Sequence, residues 1–414
     1  SFKPYVLATA VKQGMNVQTS RLNGFSPLWI PPDTSAMTFA SLKDPGPSAS
    51  GVFEVQNDEV DNPNRPVSVV EATAMSLNTA YADLWHRVAL TDGQESVVNM
   101  AKAFGVNVDP APPKGQGSGL VTMEGEAGTA LGQASLTVEE QANMIATLAD
   151  GGVYHTPHVI KRITVNNAVT PAKVDQREVL TPDEAAEVDY AMSFDMGSLG
   201  TANGLGLTNG QTVIAKTGTT NMSQSAFFLG ATPRYAMAVG MFTNQNGCPQ
   251  RLQDDCTSTQ ALAFAPPQGI QTLFGVGGLA GYGGQWPAII WHDYFMKNFN
   301  SVPVQSWPAL PVNFGSAWNL VPPLPKPKPQ PRQCNGNRNP FRCQNQNQPP
   351  TGIPTLPPPF GGGGGAAGGA GTVGGVAAGG IVATGLTVTM LPAGIRRWRP
   401  RRRQRGPGAG KRKT

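Results

Sequence analysis

Three short runs contain residue types that could together perform acyl transfer. They are Ser1-Phe-Lys3, Ser76-Leu-Asn78 and Lys216-Thr-Gly-Thr219. An alcohol is a weak nucleophile at its own pKa, and a lysine can act as its base when burial and neighbouring cations lower the lysine pKa. Hydroxyl and amide groups can relay protons and hold substrate, and a second lysine can bind a carboxylate. The set indicates a serine-type site, although each run alone is weak evidence.

Each run lies at the end of a predicted element. Phe2 to about Gln13 has a helical apolar stripe, which puts Lys3 in the first turn. Ser68-Val-Val-Glu71 has the form of a capping box and predicts a short helix that runs into Ser76. A second helix follows, so Ser76 and Asn78 are expected at a helix–helix junction. The run Thr212–Thr220 predicts a buried strand that ends in the lysine run.

The remaining elements predict a mixed α+β architecture. Apolar runs at Ala226–Leu229 and Tyr235–Phe242 complete three antiparallel strands, with the Lys216 run on an edge that faces a cleft. Further helices are predicted near 95–104, after a capping box at Thr137, from Thr181 with Pro182 in the first helical position, and up to Asn298, with a strand at 159–165. Helices at both ends and a sheet between them define this class. The proline-punctuated stretch from Gly14 to Pro66 is predicted to be an irregular excursion at the cleft's rim.

The three runs together resemble the Ser-x-x-Lys, Ser-x-Asn and Lys-Thr-Gly motifs of the serine acyltransferases that react with penicillin. The contexts Ser-Leu-Asn-Thr-Ala and Lys-Thr-Gly-Thr-Thr-Asn, with a following Ala-Phe-Phe-Leu-Gly, resemble the transpeptidase domain of class A penicillin-binding proteins. The resemblance covers Ser1 to about Asn300. It implies the penicillin-binding/β-lactamase-like fold, an antiparallel sheet flanked by helices.

The first two motifs carry roles that the resemblance implies. Lys3 would be the general base, whereas an isolated lysine in such a helix would more often be solvated. Ser76 would relay a proton to the leaving amine. Asn78 would bind the donor peptide's amide and orient Lys3. Serine and asparagine at a helix junction are otherwise commonly capping residues.

The third motif would bind the substrate. Lys216 would steady the substrate's terminal carboxylate and strengthen the positive field at Lys3, and the hydroxyls of Thr217 and Thr219 would bind the same carboxylate. Gly218 would let substrate approach the backbone, and the Thr219 N–H would contribute to the oxyanion hole. For Thr217 the alternative is an ordinary β-branched strand residue.

One departure from the motif concerns the nucleophile. In Ser-x-x-Lys the serine stands three residues before the lysine, which is the position before Ser1. Ser1 is two residues from Lys3, and helical positions two apart do not share a face. We therefore expect a fragment of a longer chain whose nucleophilic serine immediately precedes Ser1.

The resemblance implies a peptidoglycan DD-transpeptidase. Its substrates would be stem peptides ending in D-Ala-D-Ala, β-lactams would trap its serine, and no cofactor or metal is expected. It would act at the extracytoplasmic face of a bacterial membrane, where the parent chain would be anchored. The motifs equally allow a DD-carboxypeptidase or β-lactamase-type hydrolase, and a non-catalytic β-lactam- or wall-binding module remains a further alternative.

Composition divides the 414 residues into three predicted regions: the transpeptidase domain (1–300), a disordered linker rich in Pro, Asn and Gly (301–378), and an apolar segment with an Arg-rich tail (379–414). Residues 396–414 hold ten of the 31 Lys and Arg, which leaves 21 basic against 26 acidic residues elsewhere. The body is thus mildly acidic, and no nucleic-acid partner is expected. The segment 381–395 is either a membrane span or a disordered tail that contacts anionic lipid or wall polymer.

Four cysteines form two close pairs, Cys248 with Cys256 and Cys334 with Cys343. Their spacing does not match a zinc knuckle and no histidine is adjacent, so local disulfides are expected in an exported protein, with free thiols as the alternative.

Overall fold

The computed structural model describes residues 1–31, 53–58, 62–109, 118–123, 126–220, 223–242, 273–320 and the backbone of 387–392. The chain divides into two compact units, one of Ser1–Pro322 with Ala383–Thr414 and the other of Pro323–Val382. The second unit lies outside the described residues, as do the four cysteines and the Arg-rich tail. The two disulfides and the tail's contacts therefore stay predictions.

Seven α-helices occur in the described part of the chain, and they enclose most of the core. They are α1 (Lys3–Lys12), α2 (Val69–Ala74), α3 (Asn78–Asp92), α4 (Ser96–Ala103), α5 (Val138–Ala149), α6 (Pro182–Met192) and α7 (Trp286–Phe299). The capping box predicted at Thr137 is formed, and the helix predicted to start at Thr181 also begins with a capping box, each with a glutamate at the third helical position. At Ser68 only half of the predicted box exists, because Glu71 pairs with Arg65 instead of turning back to Ser68.

The described strands form one four-stranded sheet and several short ribbons. The ribbons pair β1 (Arg21–Asn23) with β4 (Pro66–Ser68), β2 (Leu28–Ile30) with β3 (Phe53–Val55), β5 (Val153–His155) with β8 (Gln176–Glu178), and β6 (Arg162–Val165) with β7 (Ala168–Pro171). The sheet contains β9 (Ile214–Thr219), β10 (Ser225–Ala231), β11 (Tyr235–Phe242) and β12 (Thr387–Pro392), all antiparallel, in the order β12-β11-β10-β9. The predicted position of β9 at a sheet edge is confirmed. The two ribbons between residues 21 and 68 correct the prediction of a wholly irregular excursion.

The sheet separates two hydrophobic cores, and side-chain alternation assigns each residue to one of them. Ile214 and Leu229 lie in the larger core with α1 and α3, whereas Ala215 and Phe228 lie in the smaller core under α7. Because alternate residues of a strand point to opposite faces, Lys216 shares the face of Ile214 and Thr217 shares the face of Ala215. This register directs Lys216 toward the helices that carry the other two motifs.

The body extends past the predicted boundary at residue 300. Segment 301–320 contacts the domain, and Trp307 Nε1 donates to Thr212 O at 3.0 Å. Further along, Ser316 N–H donates to Gly14 O at 2.8 Å and Arg21 N–H donates to Trp318 O at 2.8 Å, beside the ends of α1 and β1. The prediction of a disordered linker is therefore wrong for these twenty residues, whose indole groups and backbone find partners on the domain.

The apolar segment near the C-terminus contains a strand in part. Residues Thr387–Pro392 pair with β11, from Tyr235↔Pro392 to Gly240↔Thr387. This strand corrects the expectation that the whole segment is either a span or a disordered tail. Among the described residues, none of the helices is both long and apolar enough to cross a bilayer.

Candidate active site

Lys3 lies in the first turn of α1 and is surrounded by the Ser76 motif. Its side chain is 7% exposed. Its Nζ donates to Ser76 O, to Ser76 Oγ at 3.1 Å and to Asn78 Oδ1 at 2.7 Å. All three acceptors are formally neutral oxygens. The first two predicted motifs, more than 70 residues apart in the sequence, therefore form one cluster.

The junction between α2 and α3 positions Ser76 and Asn78. Ser76 has φ of +57°, a left-handed conformation that is uncommon for a residue other than glycine and that costs free energy. The turn is closed by Leu77 N–H, which donates to Ala72 O at 3.0 Å. Asn78 is fixed on its other side, since its Nδ2 donates to Gln56 O at 3.0 Å. The strained turn thus presents both the carbonyl and the hydroxyl of Ser76 to Lys3.

Lys216 approaches the same cluster from β9. Its side chain is fully buried, and its Nζ is 3.6 Å from Asp195 Oδ1. Burial lowers the pKa of Lys216, and the charge of Asp195 opposes that shift. Asp195 is also fully buried; burial raises its pKa while Lys216 opposes that shift. Each partner therefore stabilises the charged form of the other.

The electrostatics of Lys3 suit a general base. Burial, and secondly the positive charge of Lys216, lower its pKa well below the ordinary lysine value. No carboxylate of the described residues pairs with Lys3, so none opposes this lowering of its pKa, and the neutral form, which accepts a proton, is favoured relative to an exposed lysine.

The three residues after Lys216 face different neighbours. Thr217 is 6% exposed and its hydroxyl lies 2.5 Å from that of Thr201. Thr219 is exposed, and its Oγ1 accepts a hydrogen bond from Gly283 N–H at 3.0 Å, so its own proton remains available for donation. A Cβ on Gly218 would lie 3.0 Å from Ser1 N, which is tighter than an ordinary contact and favours glycine at this approach.

The backbone of Thr219 has the orientation that the oxyanion role requires. Thr220 N–H donates to Ser225 O of β10 at 3.0 Å. Successive N–H groups of an antiparallel strand point to opposite sides, so the Thr219 N–H points away from β10 and toward the open edge of the sheet.

Sequence reasoning missed three residues that support the site: Asp195, Thr201 and Gly283. Asp195 and Thr201 lie in the turns after α6, where no periodic pattern marks them. Gly283 lies against β9, where a Cβ would be 2.6 Å from Gly218 O. The Gly283-Gly284 dipeptide before α7 was the available signal for a close backbone approach. The described residues contain no group of three or more His, Cys, Asp or Glu that could hold a metal ion.

Comparison with known proteins agrees with this geometry. The family of penicillin-binding protein transpeptidase domains matches residues 33–250, slightly more than half of the chain. This match includes the Ser76 and Lys216 motifs and begins after Lys3. The chain is 27% identical over 260 residues to penicillin-binding protein 1A of Mycobacterium tuberculosis, covering 59% of this chain and 28% of that protein. It is 28% identical over 229 residues to the peptidoglycan D,D-transpeptidase PbpA of the same species, covering 53% and 42%.

A solved structure shows the same fold. The PonA1 protein from Mycobacterium tuberculosis, in complex with penicillin V, has a TM-score of 0.55 and 23% identity, covering 78% of this chain and 74% of that one. Fold and site together define the class of the penicillin-binding transpeptidases, as the sequence predicts. The chain belongs to the family of penicillin-binding protein transpeptidase domains. It spans less than half the length of the two curated relatives named above.

Proposed function

We propose that this chain is the acyl-transfer domain of a peptidoglycan DD-transpeptidase that acts outside the cytoplasm. The observation that carries the proposal is the cluster in which Lys3 Nζ contacts Ser76 Oγ and Asn78 Oδ1, with Lys216 close enough to lower the Lys3 pKa. A buried lysine with neutral partners is a base, and a buried lysine with a carboxylate partner is a fixed cation. Lys3 is therefore suited to proton transfer, and Lys216 is suited to binding a carboxylate.

The nucleophile in this proposal is a serine immediately before Ser1 in the natural chain. Its support is the three-residue spacing to Lys3, together with the position of Ser1, whose N lies beside Gly218 at the edge of β9. Lys3 takes the proton of the serine hydroxyl as its oxygen attacks the carbonyl carbon of the penultimate D-alanine. The carbonyl oxygen becomes an oxyanion, for which the outward N–H of Thr219 is a donor.

Ser76 links the base to the leaving group. In neutral Lys3 the two N–H bonds can donate to Ser76 O and Asn78 Oδ1, which leaves the nitrogen lone pair to take the proton of the nucleophile, with Ser76 Oγ 3.1 Å from Nζ. After Lys3 is protonated, it donates to Ser76 Oγ and Ser76 donates to the leaving amine nitrogen. The C–N bond breaks, D-alanine departs with that proton, and a serine ester remains. An amine from a neighbouring strand then attacks the ester and returns the proton through Lys3.

The substrate's carboxylate is assigned to Lys216, Thr217 and Thr219. The exposed hydroxyl of Thr219 supports direct contact, because Gly283 N–H occupies its acceptor side and turns its donor side outward. The Thr217 hydroxyl is buried and lies next to Lys216 Nζ, so it would contact the carboxylate beside Lys216 and away from bulk solvent. Anchoring of the parent chain to the membrane, and contact of the Arg-rich tail with anionic lipid or wall polymer, belong to the same proposal.

A labelling experiment tests the chemistry. This chain and the same chain extended upstream by a few tens of its natural residues are incubated with a fluorescent penicillin and separated on a denaturing gel. A covalent band for the extended chain alone supports the proposal, and a Lys3→Ala variant of it should not label. Labelling of both chains assigns the attack to Ser1 or another residue. If neither labels while circular dichroism shows both folded, a non-catalytic binding module replaces the proposal.

Release of D-alanine separates transfer from hydrolysis. The extended chain is given a D-Ala-D-Ala peptide with and without an amine acceptor. A cross-linked product in the presence of acceptor identifies a transpeptidase. Hydrolysed peptide alone, at a rate that the acceptor does not change, identifies a carboxypeptidase-type hydrolase.

A further inference from the structure

A closed set of polar groups lies behind Lys216, and neither motif matching nor the family match assigns it a role. Asp195 Oδ1 accepts from Thr201 Oγ1 at 3.0 Å, and the Thr201 and Thr217 hydroxyls are 2.5 Å apart. Lys216 Nζ is 3.4 Å from Thr217 Oγ1 and 3.6 Å from Asp195 Oδ1, which closes a ring of contacts among four residues. Asp195, Lys216 and Thr217 are buried and Thr201 is half-buried, at the proposed substrate-binding edge of β9.

Backbone contacts fix the ring. Ala202 N–H donates to Asp195 O at 3.0 Å, which folds the turn back on itself. Thr201 N–H donates to Ala74 O at 3.2 Å, at the end of α2 and two residues before Ser76. The ring is therefore held between the helix that carries Ser76 and the strand that carries Lys216, so its geometry is coupled to both.

The proposed reaction requires different protonation states of the two lysines, and the contacts of the ring account for the difference. The proposed reaction needs Lys3 neutral, to take a proton, and Lys216 positive, to hold a carboxylate. Burial favours the neutral form of both lysines, and their mutual repulsion favours the loss of one proton. The partners of Lys3 are neutral oxygens, whereas Lys216 has a carboxylate. Lys216 is the one cation within ion-pair distance of Asp195 among the described residues, where Asp195 Oδ2 has no hydrogen-bond partner.

We propose that Asp195 is a positioning residue that keeps the proton on Lys216 while Lys3 stays neutral, and that Thr201 transmits the same constraint to the Thr217 hydroxyl. This inference rests on the proposed acyl-transfer function of the site. The other titratable groups that face this region are Lys3 and Tyr81, and burial raises the pKa of Tyr81, with a smaller contribution from Asp195. Asp195 supplies the negative charge among them.

The first test is the pH profile of acylation by a fluorescent penicillin, in the natural chain that includes the residues before Ser1. In Asp195→Asn, Lys216 loses its charge partner and should release its proton at lower pH. An opposite charge at this range changes proton affinity by about tenfold or more. The fall in acylation at high pH should therefore begin about one pH unit lower than in the wild type, and acidification should recover the rate.

Matched variants separate this role from a structural one. Asp189 is another buried carboxyl, and burial raises its pKa. Asp189→Asn is therefore the control, and it should leave the pH profile of acylation unchanged. Thr201→Val breaks the ring but keeps the carboxylate, so it should lower the rate without moving the high-pH fall, and Thr201→Ser should restore it. If Asp195→Asn lowers the rate by one constant factor at every pH, or has no effect, the proposal is overturned.

A second readout does not depend on catalysis. Lysine side chains labelled with ¹⁵N are titrated by NMR, and the Lys216 Nζ signal is assigned by its loss in Lys216→Met. In Asp195→Asn this signal should titrate at lower pH than in wild type, and an unchanged titration overturns the proposal. If the wild-type chain is not acylated at all, the proposed function fails, while this titration still decides the role of Asp195.

Discussion

In the proposed function Asn78 helps to set the proton affinity of Lys3, and replacing it by aspartate tests that role. Asn78 Oδ1 accepts from Lys3 Nζ at 2.7 Å, and the environment of Lys3 lacks a carboxylate among the described residues. Asn78→Asp places a negative charge at nearly the same distance. A unit charge pair about 4 Å apart is worth roughly 4 kcal/mol at the effective dielectric of a protein surface. Because Asn78 is half-buried, we halve this to about 2 kcal/mol to allow for solvent screening.

That energy favours the protonated lysine, which cannot act as a base. One factor of ten corresponds to about 1.4 kcal/mol, so acylation on the acidic limb of the profile should fall roughly thirtyfold. Raising the pH should recover the rate, because the loss comes from protonation. Asn78→Ala removes one hydrogen bond, worth about 1 kcal/mol, and should lower the rate several-fold at every pH.

The assay is the rate of labelling by a fluorescent penicillin, measured across pH in the extended natural chain with thermal unfolding as the control for folding. Equal profiles for the aspartate and alanine variants, or a wild-type acidic limb in Asn78→Asp, would refute the assignment of Lys3 as the base.

Three further predictions concern the support of the site and the stability of the fold. Gly283→Ala should lower acylation about tenfold, because a Cβ there meets Gly218 O at 2.6 Å and displaces the donor to Thr219, whereas Gly206→Ala, with open space around it, should not. Burial raises the pKa of Asp83 to about 7 from an unfolded value near 3.8. The folded state therefore binds this proton more tightly, and the resulting stability is present below about pH 4 and lost as pH rises toward 7; Asp83→Asn should flatten that slope in urea unfolding. Trp291→Ala should cost about 3–5 kcal/mol of unfolding free energy, since Trp291 is fully buried and stacks on Phe295 at 3.9 Å. Trp291→Phe should cost less, and equal losses for the two would contradict the packing argument.

The local sequence predicted the elements whose signals are short in range. The helix starts predicted at Thr137 and Thr181 depend on residues up to three positions apart, and the structure forms both. The alternation that predicts β9 likewise involves adjacent residues. The motif residues Lys3, Ser76, Asn78 and Lys216 were identifiable because their types and order are restricted by the chemistry they would perform.

The same local reasoning was wrong where a partner from elsewhere competes. Glu71 of the predicted box at Ser68 pairs with Arg65, and proline-rich segment 301–320 attaches through Trp307 and Trp318. Composition predicts disorder from the average polarity of a segment. A few indole and backbone contacts with a folded surface can order a segment whose composition predicts disorder. That surface forms only when the domain folds, so local composition does not reveal it.

What the tertiary structure decided is the electrostatic environment of the two lysines. The motifs assign Lys3 and Lys216 different roles by resemblance, but residue types alone do not show why the proton affinities of the two lysines would differ. Packing buries both, gives Lys3 neutral oxygens as its partners among the described residues and brings Asp195 to Lys216 from the turns after α6. Proton affinity depends on burial and on charges within a few ångströms. Those distances are set by how distant segments pack, so residue types can be read from the chain, whereas their charge states follow only from the fold.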